Sequence, residues 1–150
     1  MTERTIAEQA ERLSRRRALM LPFLGGAYIA QQTTFLSALG MGEAGSTYGV
    51  KIAAWSVLSI VILLALVTKG FWFQSKAMRD LIDDENTRAN RMEAIRIGFI
   101  FAVVTALGCY FLDRFEPLAT GETVQIVLTF GLGAALICFG WLERRALKDG

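Results

Sequence analysis

Histidine is absent, and only two cysteines, Cys109 and Cys138, occur in the 150 residues. Without histidine the chain lacks the commonest metal ligand and general base. Two well-separated cysteines make neither a zinc cluster nor the framework of a disulfide-stapled secreted domain. A phosphate-cradling glycine loop with a lysine is also missing, because Gly131 and Gly133 lie inside an apolar run. Net charge is low, at +2, which argues against direct contact with nucleic acid. No Asp or Glu lies well inside any apolar run, and proton- or ion-coupled transporters usually keep such a carboxylate. These absences disfavour an enzyme, a metal or cofactor site, and coupled transport.

What the chain does have is apolar surface. Hydrophobic residues make up 53% and charged residues 20%, the latter below the soluble average of about 25%. The length allows one domain, and the charges gather in short segments. Four runs approach the roughly 17–25 apolar residues that a bilayer core requires: about 18–39, 52–68, 97–112 and 124–142. The expected fold class is therefore all-α, an antiparallel bundle of four transmembrane helices. Seventeen polar-rich residues precede the first run, and no small-x-small cleavage site leads into a soluble domain. That run therefore reads as a span, not as a cleaved signal peptide.

Orientation follows from Lys and Arg. Segment 1–17 carries five, the 69–96 loop carries six and the 143–150 tail carries three, against Lys51 and Arg114 elsewhere. Fourteen against two places both termini in the cytoplasm. The aromatics fit as interfacial anchors: Phe71, Trp72, Phe73 and Trp141 on the cytoplasmic side, and Tyr48, Trp55, Tyr110 and Phe111 on the other.

Small residues at four-residue spacing let transmembrane backbones approach. Gly26, Ala30, Thr34 and Ala38 form one such stripe; Gly98, Ala102 and Ala106 form a second; Gly131 with Ala135 and Ala134 with Cys138 form a third. Gln31 and Gln32 are the conspicuous polar pair within a span. An unpartnered amide in hydrocarbon costs several kcal/mol, so at least one should face the bundle interior. Two readings stay open for them: hydrogen bonds to Ser56 or Ser59, or the lining of a polar cavity. Cys109 and Cys138 fall near opposite membrane faces, too far apart for a disulfide.

The cytoplasmic segments carry the remaining polar character. Thr5 and Glu8 suit a capping box, and Glu8/Arg12 and Glu11/Arg15 suit ion pairs along a helix. Segment 1–17 thus reads as an amphipathic interfacial helix. In the 69–96 loop, Asp83 or Asp84 can cap a new helix that carries Arg88 and Arg91 in solvent. Asp83, Asp84, Glu85, Arg88, Asn90 and Arg91 make either a docking surface for a protein partner or a self-capped hairpin. The stretch DDENTRANRMEAIRIGF resembles the loop-to-helix signature of small four-span bacterial inner-membrane proteins. Asp84, Glu85, Thr87, Asn90, Arg91, Ala94 and Gly98 carry that resemblance. It implies a cytoplasmic face that restrains a partner, such as a helix-turn-helix regulator. A small transporter or efflux subunit with a cavity at Gln31 and Gln32, or a structural subunit of a larger membrane complex, are the rival expectations.

Overall fold

The computed structural model describes residues 12, 15, 16, 18–31, 46–67 and 85–149. These residues are helical apart from the turn at 113–119 and contain no strand. Four helices run in chain order: α1, Ala18–Gln31; α2, Ser46–Val67; α3, Glu85–Leu112; and α4, Thr120–Asp149. The last three are long and apolar enough to cross a membrane, and α1 is a shorter apolar helix. Residues 1–11, 32–45 and 68–84 lie outside the described residues, as do the capping residues Asp83 and Asp84.

The helices alternate in direction, as the contacts with α4 establish. On α1, Ala18 meets Arg144, Pro22 meets Gly140, and Gly25 and Ile29 meet Gly133; rising numbers meet falling ones, so the pair is antiparallel. On α3, Asn90 meets Glu143 and Ala102 meets Gly131, again antiparallel. On α2, Trp55 meets Thr129, while Leu66 and Ala135 line one cleft further along; that pair is parallel. The starts of α1 and α3 and the end of α4 therefore share one end of the bundle. Arg12, Arg15, Arg16, Arg88, Arg96, Arg144, Arg145 and Lys148 are exposed there.

α4 is the centre. In its most apolar stretch 44% of residues are buried, against 22% for α2 and 11% for α3. The outward faces are bulky and apolar, with Phe23, Val57, Phe99 and Val104 exposed, as a lipid-facing bundle requires. The turn between α3 and α4 is short and internally bonded. Asp113 accepts from the Leu118 N–H at 2.9 Å, and Glu122 reaches back to the Ala119 N–H at 3.1 Å. The second contact is half of a capping box.

Glycine sets the helix separations. A Cβ on Gly98 would lie 2.7 Å from both the Gly131 carbonyl oxygen and Ala135 Cβ, and one on Gly131 would lie 2.9 Å from Ala102 Cβ. Gly98 and Ala102 of the stripe read on the third span thus face Gly131 and Ala135 of the fourth, whereas Ala106 is exposed. The stripe read on the first span does not make the contact: Gly26 and Ala30 are exposed, and Gly25 is the buried glycine against α4. Residues 18, 22, 25 and 29 recur every four, three and four positions and stay over one partner. A strict four-residue repeat drifts by about 40° per step at 3.6 residues per turn. Trp55 also departs from its expected interfacial place; it is 8% exposed and belongs to the core. Both cysteines are free.

Candidate functional site

Among the described residues two polar clusters lie between the helices, and neither includes Gln31. The first joins α1, α2 and α4. The Ser59 hydroxyl donates to the Trp55 carbonyl at 2.8 Å. Its single proton is then committed, so Tyr28 donates to Ser59 Oγ across 2.6 Å. Trp55 Nε1 donates to Thr129 Oγ1 at 3.2 Å, and Thr129 is fully buried. One turn further on, Gln125 is buried with no hydrogen-bond partner for Nε2. Gln31 is exposed on α1, and Gln32 lies outside the described residues. Ser59, anticipated as a partner for that pair, is held by Tyr28 instead. Depth alone does not reveal this column, because Tyr, Trp, Ser and Thr are all tolerated in spans singly; only the helix pairing shows that they converge.

The second cluster lies at the basic end between α3 and α4. Thr87, Arg91, Ala94 and Gly98 are buried at four-, three- and four-residue intervals, one continuous stripe whose Gly98 end meets α4. Opposite them Glu143 is 3% exposed and accepts from Asn90 Nδ2 at 3.4 Å. Arg144 Nε donates to the Ala18 carbonyl at 3.1 Å and ties α1 to the same level. On the outside, Arg145 stands 5.8 Å over the exposed Trp141 ring.

The candidate docking residues therefore divide. Glu85 and Arg88 are exposed, Asn90 is half-buried against Glu143, and Arg91 is buried. The expectation of a solvated Arg91 is corrected: it is 8% exposed, on the helix face that continues through Ala94 to Gly98. Four residues that carry the family resemblance, Thr87, Arg91, Ala94 and Gly98, are thereby accounted for as a packing face. No protein-family model, no curated protein and no solved structure matches the chain.

Proposed function

We propose that the protein is a non-enzymatic, four-span protein of a bacterial inner membrane, with both termini in the cytoplasm, whose cytoplasmic face anchors or restrains a protein partner. The projection of α3 and α4 supports this reading. At 1.5 Å per residue the two helices measure about 42 and 45 Å, against an apolar core of about 30 Å. The surplus lies at the basic end, where Asn90 and Glu143 couple the helices. Its outer surface carries Glu85, Arg145 and Lys148, which spanning a bilayer does not require. A regulator of transcription is the partner that the loop resemblance implies. Crosslinking in native membranes followed by pull-down tests the proposal. Glu85→Lys and Lys148→Glu should leave membrane abundance unchanged and release the partner, since a like charge at an interface costs several kcal/mol. A partner retained by both variants refutes it, and capture of other integral proteins alone points to an accessory subunit.

A second reading, a small transporter, draws on the unfilled Gln125 amide beside the Tyr28–Ser59–Trp55–Thr129 column. It requires substrate-dependent flux in proteoliposomes that Gln125→Leu abolishes.

A further inference from the structure

α3 and α4 approach so closely through Gly98, Ala102, Gly131 and Ala135 that no large side chain stands between them. α2 packs on α4 by way of Trp55 and Leu66, and an open cleft of about 250 Å³ remains between α2 and α3, with α4 as its floor. Leu66 and Val67 wall one side, Ile95 and Phe99 the other, and Leu128 and Leu132 lie below. Every lining side chain is apolar.

Among the described residues, charge appears beyond the cleft's basic end. Arg88 lies seven residues before Ile95, two turns back on the same face of α3, and Arg96 flanks Ile95 directly; both are exposed. Arg96 holds Glu93 at 3.7 Å, with both side chains solvated, and such pairs are weak enough for another anion to displace. Ile95 lies just before the apolar run, so the arginines sit at headgroup depth and the cleft in the adjoining leaflet. The arginines select among apolar occupants. An anionic lipid is apolar along its chain and charged at its head, which matches a wholly apolar cleft with exposed cations beyond one end.

We propose that the cleft between α2 and α3 seats one acyl chain of an anionic phospholipid, with its phosphate held by Arg88 and Arg96. This rests on the membrane-spanning reading above. The full chain, purified in neutral detergent, is mixed with equal amounts of phosphatidylglycerol and phosphatidylcholine of identical chains, and native mass spectrometry counts the lipids retained. Phosphatidylglycerol should be kept about fivefold over phosphatidylcholine, at one per protein. The Arg88→Gln/Arg96→Gln double variant should bring that ratio close to one. Val67→Trp, on the exposed rim, should lower retention of both lipids about tenfold; Leu63→Trp serves the same purpose if Val67→Trp does not fold. Equal retention of the two lipids by the unmodified chain overturns the proposal, as does unchanged retention in both tryptophan variants or a lipid-free dimer. Alkaline carbonate extraction separates the two failures. A chain that washes off membranes fails the membrane reading, whereas one that stays embedded without lipid preference fails the lipid site alone.

Discussion

At the scale of single residues, two glycines and two arginines give the sharpest contrasts. Gly98 faces backbone at 2.7 Å, whereas nothing lies within 4 Å of a Cβ built on Gly108 in the same helix. Gly98→Ala should cost about 1–3 kcal/mol, the usual cost of overpacking. Gly108→Ala should be neutral or gain up to about 1 kcal/mol of helix propensity. Thermal unfolding of both variants in one detergent checks the pair. Equal midpoints would mean that α3 is free to move off α4. Arg91 and Arg88 differ in the same way. Arg91→Glu places a second carboxylate in the buried stripe that packs on α4, the helix carrying Glu143, so folded membrane-inserted protein should fall sharply. Arg88→Glu, in solvent, should leave it within about 0.5 kcal/mol of the parent. Quantitative blots of washed membranes distinguish them. The sequence alone does not decide this difference, since both arginines precede the apolar run and phase assigns burial only once Gly98 is seen to meet α4. Burial follows from helical phase: Arg91 is seven residues before Gly98, and Arg88 falls on another face.

At the scale of helices, the existence of the spans is legible because about 20 consecutive apolar residues have few other uses. The pairing of α3 with α4 is legible too, from stripes of small residues that need a close partner. The faces of α1 and α2 are not. Adjacent Gly25 and Gly26 offer two phases for one helix, and Trp55 suits an interface or a core equally until Thr129 is seen to accept its N–H. The column that ties these helices should be energetically measurable. A double-mutant cycle on Tyr28→Phe and Ser59→Ala should give a coupling of about 0.6 kcal/mol and at most about 1.7, the range for hydrogen bonds between membrane helices. A coupling of zero would mean that α1 is held by Gly25 and Pro22 packing alone. Glu122 offers a local counterpart at the start of α4. Glu122→Ala should cost about 0.5–2 kcal/mol through loss of the cap, seen as faster amide exchange in the turn at 113–119.

For the whole molecule, the alternation of α1 to α4 gathers the basic residues at one end, and Lys51 and Arg114 fall in helix and turn segments towards the other. The charge count of the bare sequence anticipates this, because loops between antiparallel spans sort charge by side. It does not anticipate which helix is central. That depends on α4 carrying small residues on more than one face, Gly131 and Ala135 towards α3 and Gly133 and Gly140 towards α1, and a single run of letters does not show which face meets which neighbour. Reporter fusions at Gly150 and within residues 40–49 should report opposite compartments; the same compartment for both would refute the four-span topology. The central position of α4 also bears on how the protein is made. Chains emerge from the ribosome N-terminus first, so α1, α2 and α3 are made before the helix that each of them packs against exists. Their glycine and hydroxyl faces must wait for that partner until α4 is made. Assembly is consequently a late and concerted event, and a ribosome stalled before Thr120 leaves three helices without their common partner, in the form that membrane quality control should recognise.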